Sequence, residues 1–331
     1  MIISRTPLRI SFVGGGTDLP AFYEHEPGAV LGTTINKYIY ITVNPKFDHK
    51  IRASYSRTEI VDRLEDLRHE LIRESLKMVG IQGAIEITSI SDIPSQGTGL
   101  GSSSTYTVGL LNALYAYTGH RAGAERLARE AYIIERERCG RHGGKQDQYF
   151  AAYGGWTFFR FDPDGSVFVE PVICPPETRR EVQRRFLLLY TGLTRRADDI
   201  LAEQERNTYD EEKRAALRRM AQLAEEMREA LNRNSIDDFG EILHANWMEK
   251  RRLAQGISSP QIDRWYALAR QHGAIGGKIL GAGGGGFLLL YAPPERHQEI
   301  IQALPELRPI PFRFEPHGSR IIYIEESGYG C

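Results

Sequence analysis

Three glycine-rich stretches of the sequence carry residues suited to holding a charged ligand. They are VGGGTD at 13–18, GTGLGSSST at 97–105 and GAGGGG at 281–286. Glycine adopts positive φ and lets backbone N–H groups approach a ligand without a Cβ in the way. Where such a turn opens a helix, the first N–H groups are unpaired and the helix dipole is positive, so anions bind there. The second stretch precedes an apolar helical pattern and therefore predicts a phosphate-binding loop.

The serines at 102–104 provide more hydroxyl groups than the start of a helix requires. One of them can cap the helix, and the others can contact phosphate oxygens or Mg²⁺, which prefers oxygen ligands. A capped helix behind a flexible loop is the simpler alternative for one such loop, but three glycine-rich stretches in one chain disfavour it. The spacing also excludes two common motifs. GTGLGSSS lacks the lysine of a P-loop, and GGGTDLP breaks the Rossmann pattern G-x-G-x-x-G.

Composition and charge limit the partners. The 331 residues are 41% hydrophobic, which suits one large or two medium domains. Because 42 Lys and Arg balance 43 Asp and Glu, no basic field attracts nucleic acid or an anionic membrane, and we expect small-molecule partners. Three cysteines without close spacing predict neither a disulfide framework nor a thiolate metal site. Without a signal-peptide pattern or a membrane-length apolar run, a cytoplasmic location is expected.

Apolar periodicity predicts an α+β organisation, since a period of two indicates strands and steps of three and four indicate helices. The predicted strands are 38–43, 51–55, 84–88, 155–161, 167–173, 186–192, 286–291 and 321–324. The predicted helices are 102–117, 125–139 and a charged helical region over 196–255, in which Ser235 and Asp238 indicate a helix start. A polar, proline-bearing segment near 176–185 predicts a boundary between domains 1–184 and 185–331.

The order of three motifs resembles that of the GHMP kinases. The motifs are PLRISFVGGGTD near the start, PSQGTGLGSSST near residue 100 and KILGAGGGGF near the end, so the resemblance covers essentially the whole chain. It implies an N-terminal α+β domain and a smaller C-terminal α+β domain, with the active site between them. It also implies ATP as the phosphoryl donor and Mg²⁺ as the metal.

Further segments are similar to the heptose 7-phosphate kinases within that family. They are RTPLRISFVGGGTDLPAFY (5–23), IRASYSRTE (51–59), GGKQDQYFAAYGG (143–155) and YTGLTRRA (190–197). This similarity implies phosphorylation of the anomeric hydroxyl of D-glycero-D-manno-heptose 7-phosphate to the 1,7-bisphosphate, for the synthesis of nucleotide-activated heptose. Two alternatives stay open: the same reaction on another sugar such as fucose, and a non-catalytic sensor that binds nucleotide and sugar.

The resemblance also implies roles for residues that would bind nucleotide and metal. The nucleotide phosphates would contact Gly97, Gly99, Gly101, Ser102, Ser103 and Ser104. Ser103 is the predicted Mg²⁺ ligand, with Ser102 and Ser104 as alternatives after a shift of one residue. Glu135 is the second predicted metal ligand, with Glu137 as the alternative. A solvated or salt-bridged helix carboxylate is the competing interpretation of Glu135.

Two further residues match the catalytic groups of the family. Asp147, in GKQDQY, matches the general base that acts on the accepting hydroxyl, and Arg9 matches the cation that offsets charge on the transferring phosphoryl group. The competing interpretations are a helix N-cap for Asp147 and an ordinary salt bridge for Arg9. Retention of Arg9, Glu135 and Asp147 disfavours the sensor, since a protein that only binds needs no base.

The sugar is predicted to contact the first and third motifs, at Gly16, Thr17, Asp18, Gly283 and Gly284. Galactokinase has Glu-His where this chain has Gly15 and Gly16, so a galactose subsite is not expected and an anionic sugar tail could be admitted. Donors are needed for a 7-phosphate, and the candidates are Arg57, Lys145, Arg195 and Arg196, each of which could instead be a surface charge. The sequence leaves the oligomeric state open.

Overall fold

Two long antiparallel strands form the centre of the first sheet. The computed structural model describes residues 1–94, 97–194 and 197–325. Strand β1 (Ile2–Val13) pairs with β2 (Gly28–Pro45) along its whole length. At its start β1 alternates between buried and partly exposed side chains, whereas its second half is buried throughout. The end of β1 therefore runs into the interior of the protein, where it carries Arg9 and Ser11.

The other elements include the predicted strands and helices, together with further ones that were not predicted. The remaining strands are β3 (Ile51–Ser54), β4 (Thr58–Val61), β5 (Ile85–Ser91), β6 (Thr157–Phe161), β7 (Val167–Pro171), β8 (Phe186–Tyr190), β9 (Gly276–Ile279), β10 (Phe287–Tyr291), β11 (Arg308–Pro309), β12 (Phe314–Glu315) and β13 (Arg320–Ile324). The helices are α1 (Pro20–Tyr23), α2 (Glu70–Val79), α3 (Ser102–Tyr117), α4 (Ala124–Tyr132), α5 (Gln146–Tyr153), α6 (Pro176–Arg184), α7 (Ala197–Asn207), α8 (Glu211–Asn232), α9 (Ile236–Lys250), α10 (Pro260–Gln271) and α11 (His297–Ala303). Helices α2, α5 and α10 are among the elements that were not predicted. A π-helical turn, Ile133–Arg138, continues α4. Within the described ranges, no helix combines the length and apolarity needed to cross a bilayer.

The described strands form two sheets. Nine strands make the larger sheet, whose main order is β13-β1-β2-β5-β3-β4, with β12 and the β6–β7 pair also joined to β2. Four strands make the smaller sheet in the order β11-β8-β10-β9. Only β3 and β5 pair in parallel among the recorded pairings. The mixture of antiparallel sheets and helices confirms the predicted α+β class.

The smaller sheet lies between two apolar cores, and its strands contribute side chains to both of them. Side chains alternate between the faces of a strand. In β8, Phe186 and Leu188 belong to the core beneath the larger sheet, whereas Leu187 and Leu189 belong to a second core with α8 to α11. The strand β8 therefore contributes apolar side chains to both cores.

The segment predicted to contain the domain boundary includes a helix. Residues Pro176–Arg184 form α6, with proline in its first turn and Thr178 and Val182 buried. Proline suits the first turn of a helix, since that position needs no N–H donor. Ser235 does occupy the N-cap of α9 as predicted, but its hydroxyl donates to Asp238 at 2.6 Å instead of capping a backbone N–H.

The domain boundary between residues 184 and 185 stays a prediction. The end of the chain, which lies in the predicted second domain, returns to the larger sheet. There β12 pairs with β2 and β13 pairs with β1. The hydroxyl of Thr34 donates to the backbone oxygen of Glu315 at 2.7 Å, which fixes this return.

Candidate active site

The second and third glycine-rich stretches lie against each other at the N-terminus of α3. Gly99 has φ of +74°, and a Cβ there would overlap the backbone oxygen of Leu280. Gly286 has φ of +79°, and a Cβ there would overlap the backbone oxygen of Thr98. Glycine is therefore required at both positions for two reasons, backbone conformation and close approach. The two loops together form one wall of a cleft.

The first stretch and α5 form the facing wall of this cleft. The residues that line it include Arg9, Ser11, Gly15, Gly16, Asp18, Gly97, Gly99, Gly101, Ser102, Ser103, Ser104, Glu135, Arg141, Gln146, Asp147, Lys250, Lys278 and Gly283. Most of the residues predicted from the motifs are therefore brought together, although they are spread over the length of the chain.

Arg9 and Asp147 form an ion pair inside the cleft. Nε and Nη2 of Arg9 donate to Oδ1 and Oδ2 of Asp147, each at 2.8 Å. Nη1 of Arg9 donates to the backbone oxygen of Gly99 at 2.6 Å. The bidentate pair fixes the plane of the carboxylate, while each of its oxygens keeps a lone pair for another donor. Arg9 thus links β1, α5 and the loop before α3.

Asp18 is held by the residue that precedes Asp147. Its carboxylate accepts from the backbone N–H of Gln146 at 3.1 Å, from Nε2 of the same residue at 2.8 Å and from the N–H of Gly16 at 3.0 Å. Burial raises the pKa of Asp18, and the backbone hydrogen bonds from Gly16 and Gln146 oppose that rise. Gly144 lies so close to the carboxylate that a Cβ there would overlap it. Asp18 is therefore a rigid hydrogen-bond acceptor.

Glu135 lies in the π-helical turn, behind the serines of the loop. Its Oε2 accepts from Oγ of Ser104 at 2.9 Å and from Nε2 of Gln148 at 3.3 Å. Its Oε1 is buried and has no hydrogen-bond partner among the described residues. Burial raises the pKa of Glu135 to about 7. Single π-helical turns are frequent at functional sites, and this one directs an unsatisfied carboxylate oxygen into the interior.

The serines of the loop have different partners. The hydroxyl of Ser103 accepts from Nη1 of Arg141 at 2.6 Å, whereas that of Ser102 lies 3.3 Å from the hydroxyl of Thr98. Within the described residues, no group of three or more His, Cys, Asp or Glu side chains could hold a metal ion. One carboxylate, one hydroxyl and the phosphates of a nucleotide are a usual set of partners for Mg²⁺. Glu135 and a serine of this loop therefore fit that ion.

Two buried lysines of the cleft were not predicted as functional. Nζ of Lys250 donates to the backbone oxygen of Gly15 at 3.0 Å and to Oε1 of Gln204 at 2.9 Å. Nζ of Lys278 donates to the backbone oxygens of Ser11 at 2.9 Å and Phe12 at 3.2 Å. Burial lowers the pKa of Lys250 to about 8 and lowers the pKa of Lys278 well below its usual value. Lys278 lies just before the third glycine stretch, and this position could have identified it as a site residue. Lys250 lies in a charged helix, where nothing in the sequence distinguishes it from the other charged residues.

Several predicted substrate residues lie elsewhere. The hydroxyl of Thr17 is fully buried and bonded to the backbone of Gly14 and Ala29. Nζ of Lys145 donates to the backbone oxygen of Gly165 and lies 4.4 Å from the ring centre of Tyr23. None of Thr17, Lys145, Arg57 and Gly284 lines the cleft. Arg195 and Arg196 lie outside the described residues.

Comparisons with known proteins agree with this architecture. The family models for the "GHMP kinases N terminal domain" and "GHMP kinases C terminal" match residues 66–155 and 227–309. D-glycero-alpha-D-manno-heptose 7-phosphate kinase of Campylobacter jejuni is 33% identical over 92% of this chain and 93% of its own. L-fucokinase/L-fucose-1-P guanylyltransferase of Bacteroides fragilis is 26% identical over 94% of this chain, which spans 37% of that longer protein.

A solved structure is also similar over the whole chain. It is described as a D-glycero-D-manno-heptose 1-phosphate kinase from Bacteroides thetaiotaomicron, with 27% identity and a TM-score of 0.80. The match covers 98% of this chain and 100% of the other. With both family models, a relative above 30% identity and a shared fold, the chain belongs to the GHMP kinase family and is a phosphotransferase with an alcohol group as acceptor.

Proposed function

We propose that the protein transfers the γ-phosphoryl group of ATP to the anomeric hydroxyl of D-glycero-D-manno-heptose 7-phosphate. The observation that carries this proposal is the 33% identity with the C. jejuni heptose 7-phosphate kinase, which extends over nearly all of both chains. The product is the 1,7-bisphosphate. The residues of the cleft supply the groups that such a transfer needs.

Asp147 is the proposed base for the sugar. Its carboxylate is fixed by the two hydrogen bonds from Arg9 and keeps a free lone pair on each oxygen. That lone pair orients the C1 hydroxyl and takes its proton as the phosphoryl group arrives. Arg9 has its guanidinium between Asp147 and the backbone of Gly99, so its positive charge lies where negative charge develops during the transfer.

Asp18 is the proposed sugar anchor. Its oxygens are already oriented by Gly16 and Gln146, and it lines the cleft on the same side as Asp147. A fixed carboxylate that accepts hydrogen bonds from two sugar hydroxyls places the reacting carbon in one position. Such placement lowers the entropy that is lost on reaching the transition state.

The loop before α3 is the proposed nucleotide site. Its backbone N–H groups and the N-terminal dipole of α3 favour the phosphates of ATP. Glu135 and Ser103 would hold Mg²⁺, with Ser104 as the alternative serine because its hydroxyl contacts Glu135 directly. The unpartnered Oε1 of Glu135 supports this assignment, since a buried carboxylate oxygen without a donor is costly. Mg²⁺ held by these residues would supply positive charge that offsets the negative charge of the nucleotide phosphates.

Phosphorus NMR of the purified protein with ATP and Mg²⁺ tests this function. The parallel reactions contain heptose 7-phosphate, heptose 1-phosphate, fucose, galactose or mannose as the acceptor. We expect a new anomeric phosphate signal from heptose 7-phosphate and none from the free hexoses. A new signal only from heptose 1-phosphate would move the site of transfer from C1 to C7 and would contradict the proposal.

Fucose is the second candidate acceptor, because the B. fragilis fucokinase relative aligns with 94% of this chain. An anomeric kinase for fucose would use the same base, loop and metal site. A signal from fucose alone would retain these roles and reject the phosphorylated substrate. ATP turnover at background level with every sugar would favour a sensor that binds without catalysis.

A further inference from the structure

An ammonium group without a carboxylate partner lies beside the first glycine stretch. Lys250, at the end of α9, is 4% exposed, and its recorded hydrogen-bond partners are the neutral oxygens of Gly15 and Gln204. None of the ion pairs recorded in the described part of the chain includes this lysine, although the carboxylate of Asp18 is near enough to attract it electrostatically. A buried charge whose hydrogen bonds are all made to neutral groups is costly. An anion in the cleft next to Lys250 would offset that cost.

Gln204 holds Lys250 at this position. Its Oε1 accepts from Nζ at 2.9 Å, and its buried Nε2 has no partner among the described residues. The approach depends on Gly16, because a Cβ there would overlap Nε2 of Gln204 and lie 3.4 Å from Nζ of Lys250. The absence of a side chain at Gly16 thus lets an ammonium group from α9 reach the turn that carries Asp18.

The other cations of the cleft are hydrogen-bonded to groups outside the turn that carries Asp18. Arg9 is bonded to Asp147 and Gly99, and Arg141 is bonded to Ser103 in the predicted phosphate loop. Lys278 donates to two backbone oxygens of β1. Lys250 differs from these cations because it lies beside Gly15 and Gly16, in the turn that leads to Asp18, and its third N–H has no recorded partner in the described part of the chain.

We propose that Lys250 binds the phosphate group carried by the sugar, with Gln204 as its positioning residue, and thereby selects a phosphorylated sugar over a free one. This inference rests on the proposed function. Lys250 replaces Arg57 and Lys145 as the predicted hydrogen-bond donor to this phosphate, since neither of those two residues lines the cleft. A phosphate oxygen next to Nζ gives a charge-assisted hydrogen bond in a site from which much of the water is excluded.

Binding measurements with Lys250→Met test the proposal without depending on turnover. Calorimetry with an unreactive ATP analogue gives the affinity of each variant for heptose 7-phosphate and for unphosphorylated D-glycero-D-manno-heptose. We expect Lys250→Met to weaken binding of the phosphorylated sugar by about 10- to 100-fold, as for loss of a charged hydrogen bond. Binding of the free heptose should change by less than about threefold. Equal weakening for both sugars would mean a structural role and would overturn the proposal.

Two further variants sharpen the result. Gln204→Glu keeps the shape of the side chain and places a carboxylate next to the ammonium group of Lys250, so it should cause the same selective loss of affinity. This variant replaces Lys250→Met in the test if Lys250→Met does not fold. Lys145→Met removes a buried lysine that does not line the cleft, and it should leave the ratio of the two affinities unchanged. A selective loss in Lys145→Met, with none in the other two variants, would overturn the proposal.

Failure of the proposed function is recognised separately. If the wild-type protein bound neither heptose, heptose 7-phosphate would not be its substrate. Inorganic phosphate then serves as the probe. Phosphate binding to the wild type that is lost in Lys250→Met would still support an anion site at Lys250, and the absence of that binding from the wild type would overturn it.

Discussion

Arg9 and Asp147 are joined by two hydrogen bonds of 2.8 Å, although 138 positions separate them in the chain. The pair brings the end of β1 against the first turn of α5. The third hydrogen bond of Arg9, to the backbone of Gly99, ties the same pair to the predicted phosphate loop. The proposed base, the proposed charge-stabilising group and the nucleotide loop are therefore fixed relative to one another by one side chain.

The Asp147→Asn variant should lose catalysis while keeping its ligands. The amide has nearly the shape of the carboxylate but cannot take the proton of the C1 hydroxyl, so we expect kcat to fall by about 10²- to 10⁴-fold. Calorimetry should show unchanged ATP affinity. Asp164→Asn, in the exposed turn between β6 and β7, is the matched control and should keep full activity. A kcat near that of the wild type in Asp147→Asn would reject the assignment of the base.

Magnesium binding should depend on pH through Glu135. The pKa of this carboxyl is raised to about 7 by burial, and a protonated carboxyl cannot ligate the metal. The apparent Mg²⁺ affinity, measured with an unreactive ATP analogue, should therefore be about tenfold weaker at pH 6 than on the plateau above about pH 8. Glu135→Gln should bind Mg²⁺ weakly at every pH.

The neighbouring Glu137 provides the control for this titration. Its side chain is exposed, so Glu137→Gln should keep the pH dependence of the wild type and thereby separate it from the titration of the nucleotide itself. The raised pKa of Glu135 also predicts how the stability of the protein depends on pH. Because the pKa of Glu135 is raised in the folded protein, the metal-free protein should become less stable as pH rises from about 4.5 to 7. A Mg²⁺ affinity that is the same in Glu135→Gln and Glu137→Gln would rule out Glu135 as the ligand.

The sequence was sufficient to predict those loops and catalytic candidates that lie within short, continuous motifs. The glycine stretches mark loops whose backbone packs too closely for side chains, and periodicity correctly predicted elements such as β5, α3 and α8. Asp147 and Arg9 could be selected because each lies in a recognisable motif. Their direct contact could not be predicted, since periodicity identified neither β1 nor α5 and the contact depends on how these two elements pack against each other.

Proximity in the sequence was misleading for the basic residues. Lys145 lies two positions before Asp147, but its ammonium group lies over the ring of Tyr23 and donates to the backbone oxygen of Gly165, and it does not line the cleft. Lys250 is a hundred positions further on, in a charged helix whose pattern indicates only that it is helical. It reaches the cleft because α9 packs against the smaller sheet and ends beside Gly15. Only the tertiary structure carries that information.

The return of the chain end to the larger sheet predicts that residues 1–184 do not fold alone. This fragment lacks β12 and β13, which pair with β2 and β1, and it lacks β8, which covers the core. It would therefore expose unpaired strand edges and apolar surface. We expect no cooperative thermal transition for the fragment by circular dichroism, in contrast to the full chain. A cooperative transition would support the predicted boundary as that of an independent domain.

Two glycines with similar backbone conformation should differ sharply when each is replaced by alanine. Gly80 ends α2 with φ of +84° and has nothing within 4 Å of the position of a Cβ, so Gly80→Ala should cost only the strain of the left-handed conformation, about 1–2 kcal/mol. Gly99 has φ of +74°, but a Cβ there would overlap the backbone of Leu280. Gly99→Ala must therefore separate the two glycine loops as well.

The two variants thus distinguish backbone strain from contact between the loops. Gly99→Ala should lower the free energy of unfolding by more than Gly80→Ala and should also weaken ATP binding by about tenfold or more, because the loop no longer presents its N–H groups in one place. Denaturant unfolding and calorimetry measure the two effects. Equal stability losses, with ATP affinity unchanged in both variants, would show that the loops tolerate separation and that their contact does not shape the nucleotide site.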